Sequence, residues 1–134
     1  MTDLTTIEGI GPAYAEKLTN AGVTSCEQLL EQGATKSGRA KIVEDSGMSA
    51  TLILKFVNHA DLFRVKGVGG EYAELLEASG VDTVPELAQR NANNLAAKMA
   101  EVNEEKKLVR ALPSASTVAG WVDQAKGMDR VITH

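Results

Sequence analysis

A nearly identical phrase is written twice in this chain: EGIGPAYAEKL over residues 8–18 and KGVGGEYAELL over residues 66–76. At a shift of 58, residues 9–29 and 67–87 share nine of 21 positions. Unrelated sequence would share roughly one or two, so the phrase marks an internal repeat. A second match follows at a shift of 65, pairing Ser49-Ala50 with Ser114-Ala115, Phe56-Val57 with Trp121-Val122 and Ala60 with Ala125. The second copy therefore carries seven extra residues between Ala88 and Pro113. Any fold must be assembled from two related halves, residues 1–64 and 65–134, each exposing an apolar face unless something packs on it. The extra residues predict a longer helix near 94–111 in the second half, followed later by a short C-terminal tail.

Punctuation along the chain is helical. Asp3 caps a short first helix ending near Ile7. Pro12 suits the first turn of a helix that runs to about Ala21, where Gly22 can take a positive φ. Thr24 and Glu27 read as a capping box for a helix through Gln32, and Thr83 and Glu86 repeat it. Thr35 and Gly47 bracket another helix, and Ser49 caps the one containing ATLILKFVNHADL. NLAAKMAEVNEEKKLVRAL has helical periodicity up to Pro113, and Ser114 or Ser116 caps a last helix through about Lys126. No stretch alternates in the way a strand requires, so the expected class is all-α, with the halves joined inside a continuous helix near Leu62–Val65. The tail MDRVITH is the one piece expected to be extended.

Composition narrows the function classes. Hydrophobic residues make up 43% of the chain but aromatics only 4%, which predicts an aliphatic, alanine-rich helical core. No apolar run approaches the ~20 residues a bilayer span needs, and no leader is evident, so a cytoplasmic protein is expected. Cys26 is the single cysteine. Net charge is −4, with 6 basic and 8 acidic residues in the first half and 8 and 10 in the second. Neither half is a basic domain, which argues against a nucleic-acid binder.

The glycine phrases resemble the helix-hairpin-helix motif. In LTTIEGIGPAYAEKL the apolar places are Leu4, Ile7, Ile10, Ala15 and Leu18; in LFRVKGVGGEYAELL they are Leu62, Val65, Val68, Ala73 and Leu76. Gly9 and Gly67 would allow the turn, and Gly11 and Gly69 would open the second helix with its amides exposed. Ile10 and Val68 would plug the turn into the core, and Ala15 and Ala73 would sit where the helices cross. IVEDSGMSATLILKFV and LVRALPSASTVAGWV look like degenerate copies of the same hairpin, making two tandem double hairpins. The whole chain is similar to a bacterial family known only as a domain of unknown function built on such units, through EGIGPAYAEKL, GRAKIVEDSG, LILKFVNHADL and EVNEEKKLVRALP. A dinucleotide-binding loop is discarded, because it needs a third glycine where Tyr14 and Tyr72 stand, after a strand.

The resemblance implies a sequence-independent DNA-backbone binder as one reading. Amides at Gly9-Ile10-Gly11 and Gly67-Val68-Gly69 would face a phosphate, with help from the helix dipole. Lys17, Arg64 and Lys66 would add charge, and Lys36, Arg39 and Lys41 form a second basic group. Lys106, Lys107 and Arg110 form a third beside Glu104 and Glu105, which reads as a solvated helix face. A monovalent cation on the turn carbonyls is the one cofactor the resemblance allows. Against this reading, Pro12 removes an amide donor and Glu71 would repel the phosphate. The favoured expectation is a non-enzymatic interaction or scaffold module, binding a protein partner or a second copy of itself, without membrane association.

No catalytic or metal-binding set is expected. His59 and His134 are far apart in sequence, and His59 reads as a surface or helix-end residue because Gln124 is its repeat equivalent. Cys26, equivalent to Val84, reads as part of an apolar face. Tyr14 and Tyr72 are expected to close the hairpins with their rings, and Phe56 and Trp121 to anchor the core.

Overall fold

The computed structural model describes all residues from Met1 to His134. The protein is all-α, without a strand. After a 3-10 turn at Leu4–Thr6 come eight helices: α1 Pro12–Asn20, α2 Cys26–Gln32, α3 Lys36–Ser46, α4 Ala50–Leu62, α5 Gly70–Ala78, α6 Val84–Ala88, α7 Ala92–Lys106 and α8 Ala115–Lys126. The chain forms two compact units. One is Met1–Asp61 together with Val131–His134, and the other is Leu62–Arg130.

Local chemistry sets most of the boundaries. Asp3 accepts from the Thr5 amide and starts the 3-10 turn. Thr35, Asn91 and Ser114 accept from the amides of Gly38, Asn94 and Thr117, so α3, α7 and α8 begin with a satisfied donor. Ser49 does the same for Leu52 at the start of α4. Gly22, Gly47 and Gly80 all take positive φ just past α1, α3 and α5. One cap differs from expectation. The box that opens α2 is shifted by one residue: Ser25 accepts from the Gln28 amide, and Gln28 Oε1 accepts from the Thr24 amide and hydroxyl. Thr83 stands at the cap of α6, but its hydroxyl is directed to Asp82 and makes no cap bond.

In the first unit, α1 and α2 both pack against α3, and α1 meets the 3-10 turn. Leu18, Val23, Leu29, Ile53 and Val57 are wholly buried there, with Phe56 close behind. In the second unit α8 packs on α6 and α7, and α5 on α7. Its core runs from Leu62 and Val65 through Leu75, Leu76, Leu87 and Met99 to Val118 and Trp121.

Two expectations about helix ends are corrected. Helix α4 stops at Leu62, and the chain turns there, with the Val65 amide on the Leu62 carbonyl and Val68 on Val65. Leu62–Val65 is therefore a turn, not the interior of a continuous helix. Helix α7 ends at Lys106, short of the expected 111, because Lys107 takes the left-handed conformation at φ 53°. The Asn103 side chain then holds the departing chain by both backbone groups of one residue, accepting from the Val109 amide at 2.9 Å and donating to its carbonyl at 3.2 Å. The seven extra residues are thus shared out: α7 is 15 residues against 11 in α3, the connector after it is longer as well, and α6 is shorter than α2. Replacing Asn103 with alanine leaves the half-buried Val109 amide and carbonyl without these partners. The expected loss is about 1–3 kcal/mol in chemical denaturation, and an unchanged midpoint would remove Asn103 as the device that ends α7.

Candidate functional site

Both glycine phrases form the same turn. Gly9 has φ 96° and Gly67 has φ 97°, a region that disfavours any side chain. The Ile10 amide bonds to the Ile7 carbonyl and Val68 to Val65, each at 3.1 Å, which closes the turn. Ile10 and Val68 point inward and are buried. Gly11 and Gly69 are extended N-caps of α1 and α5, and neither helix start has a side-chain cap.

An aromatic ring lies against each turn. A β-carbon on Gly9 would meet the Phe56 ring at 3.4 Å, and one on Gly67 would meet the Trp121 indole nitrogen at 3.1 Å. Tyr14 tilts onto Phe56 with ring centres 6.1 Å apart, and Tyr72 onto Trp121 at 5.3 Å. Phe56 and Trp121 are both buried. In the second unit Gln124, one turn beyond Trp121, also clamps the turn backbone: its side-chain oxygen accepts from the Lys66 amide at 2.8 Å and its nitrogen donates to the Lys66 carbonyl at 3.2 Å.

The expected cations are not gathered around these turns. Arg39 is buried, and its guanidinium donates to the carbonyls of Gly33, Ala34 and Thr133. Burial holds its pKa below the usual arginine value. Arg64 donates to the Asp129 carbonyl at 2.9 Å. Lys41 pairs with Asp45 at 3.3 Å along α3, and Lys17 lies over the Tyr14 ring, 5.9 Å from its centre. Lys66 is exposed next to the second turn in sequence. Lys36 is exposed on α3, beside a groove of about 370 Å³ that also takes in Arg39, Ala40, Val43, Ala50, Leu54 and His134.

One residue reaches a turn unexpectedly. The connector after α7 brings Arg110 into a concavity of about 400 Å³ with Gly67, Gly69, Gly70, Glu71, Tyr72 and Ala111. The Tyr72 hydroxyl donates to the Ala111 carbonyl at 2.9 Å and holds the connector there. In the sequence Arg110 reads as part of a helix face; only the early end of α7 frees it. An anion here would meet Arg110 and the first-turn amides of α5, and would be opposed by Glu71. At the exposed surface a full charge even 4 Å away is worth only about 1 kcal/mol, and the arginine and the glutamate act with opposite signs. The helix terminus adds about 0.3–1 kcal/mol.

The other singled-out residues are structural. Cys26 is buried, donates to the Asp3 carbonyl at 3.3 Å and has its thiol pKa pushed up to about 12, first by burial and then by Glu27 and Asp3. His59 is wholly buried, which corrects the surface reading, and Asn58 and Asp61 beside it are buried too. No group of three or more His, Cys, Asp and Glu side chains is placed to hold a metal ion, and no helix is long and apolar enough to cross a membrane.

These features define an all-helical protein whose two glycine turns are each packed under an aromatic side chain. It matches the family described as Domain of unknown function (DUF4332) over residues 8–128, a span that includes both turns and all eight helices, and the chain belongs to that family. No curated protein and no solved structure matches it.

Two outcomes check this geometry. Gly67→Ala must strain a positive-φ turn and push on Trp121, and is expected to cost about 1–3 kcal/mol in thermal or chemical unfolding. A neutral result would mean that the turn is not fixed by the indole. Cys26 keeps its proton when folded well past the point, near pH 9, where an exposed thiol loses it. Its contribution to stability is therefore complete below pH 9 and lost as pH rises from there towards 12. Unfolding midpoints followed from pH 7 to 11 should fall above pH 9, and should fall less in Cys26→Ala.

Proposed function

We propose that the chain is a non-enzymatic interaction module: two tandem helix-hairpin-helix units, residues 1–64 and 65–134, that serve as a rigid scaffold for a protein partner or a second copy. The observation that carries this reading is the pressing of Phe56 on Gly9 and of Trp121 on Gly67. The glycines are explained in full by the packing of a helical repeat, with no phosphate needed. The cations expected to meet a DNA backbone support it as well, since Arg39 and Arg64 are directed to backbone carbonyls and Lys41 to a carboxylate.

A second reading, sequence-independent DNA-backbone binding, has two specific observations in its favour. Helices α1 and α5 begin without side-chain caps, and Arg110 stands beside the second turn. Glu71 at the first turn of α5 weighs against it.

The two readings separate in a fluorescence-anisotropy titration of a labelled duplex at low and at physiological salt. The scaffold reading expects a flat response at both. Glu71→Lys should then introduce weak, salt-sensitive binding, because it turns the one opposing charge at the second turn into a supporting one. Micromolar binding by the unaltered chain that falls steeply with salt and is lost in Lys66→Glu would establish the DNA reading in its place.

A further inference from the structure

The last four residues are the least local part of the first unit. Val131–His134 belongs to that unit although about seventy residues separate it from the rest. It is not helical, and it buries Ile132 while Thr133 and His134 stay exposed. Both backbone groups of Thr133 are satisfied by the unit: its amide donates to the Ala34 carbonyl at 2.8 Å, and its carbonyl accepts from Arg39 Nη2, also at 2.8 Å.

The place where it docks also has hydrogen bonds of its own. Arg39 Nη1 is held by the Gly33 and Ala34 carbonyls at 2.9 and 3.2 Å, so the guanidinium is aimed before Thr133 arrives. The corner is tight because two glycines allow close approach. A β-carbon on Gly33 would stand 2.5 Å from Val57 Cγ2, and one on Gly38 would stand 2.0 Å from the Gln32 carbonyl oxygen. His134 itself lines the groove of about 370 Å³ whose apolar wall is Ala40, Val43, Ala50 and Leu54.

We propose that this corner, formed by the Gly33–Thr35 turn and α3, is a binding site for an extended peptide, and that Val131–His134 is its resident ligand. Backbone capture at Thr133 supplies affinity, its hydroxyl adds a longer bond to the Ala34 carbonyl at 3.4 Å, and the buried Ile132 position supplies selectivity for a branched aliphatic residue. A competing partner is an extended segment with such a residue, followed by apolar side chains that enter the groove where His134 now lies. The inference stands apart from the scaffold reading, since the hairpin turns take no part in it.

The test uses the full chain and a fluorescent peptide of sequence DRVITH. In the intact chain the tethered tail competes at an effective concentration on the order of millimolar. The full chain carrying Ile132→Asp vacates the site. It should bind the peptide saturably and at least about tenfold more tightly than the intact chain. A peptide with aspartate in place of its isoleucine should lose roughly tenfold or more, since the buried side chain is the selective contact. Hydrogen exchange of the intact chain gives an independent readout: the Thr133 amide should exchange by local opening, well ahead of the α4 core amides. Equal binding by both chains, no binding by the Ile132→Asp chain, or loss of its helical circular dichroism would overturn the proposal. Exchange of Thr133 only on global unfolding would do so too, because the tail would then be core and not ligand.

Discussion

Everything in each unit is arranged around an aromatic side chain set on a glycine with positive φ. The turn is possible because Gly9 and Gly67 have no β-carbon, and the same absence gives Phe56 and Trp121 a flat seat. Backbone conformation and core packing are therefore one constraint, not two. The ring fixes the last long helix of its unit against the glycine turn, and Tyr14 or Tyr72 covers it from the helix that follows that turn. In a chain with so few aromatic residues, placing them at these joints concentrates the largest packing contributions where three elements meet.

Charge follows from the same economy. Arginines act as ties between backbone segments that have no helix or sheet partner: Arg39 for Thr133 and the Gly33-Ala34 turn, Arg64 for Asp129, and Arg90 for the Gly80 carbonyl. A guanidinium suits that work because its planar fork offers several donors in a fixed geometry. The surface cations that remain, Lys36 and Lys66 among them, are exposed on an already acidic chain.

The legible part of the fold was the part written locally. The caps at Thr35, Ser49 and Ser114 and the glycines at 22 and 47 are read from a few neighbouring residues, and the structure uses them as expected. The core roles of Phe56 and Trp121 were visible from their equivalent places in the repeat. What stayed hidden depends on partners distant in sequence, or on conformations that carry no composition signal. Lys107 is neither glycine nor asparagine, yet it takes the left-handed conformation that ends α7, and Asn103 locks the exit through Val109. Arg39 and His59 read as surface residues because charge and polarity usually mean solvent, but both are buried. Arg110 came to the second turn only through the connector that follows the shortened helix.

The discontinuous make-up of the first unit bears on how it is born. Residues 1–61 leave the ribosome first, and domains commonly begin to fold in that order. At ordinary elongation rates the 72 residues from Leu62 to Thr133 take roughly 4–14 s to synthesise. Throughout that interval Ala34 and the Arg39 guanidinium are without Thr133. Chains on one messenger thus pass through a moment, absent from the finished protein, when this surface is open to whatever extended segment is nearby.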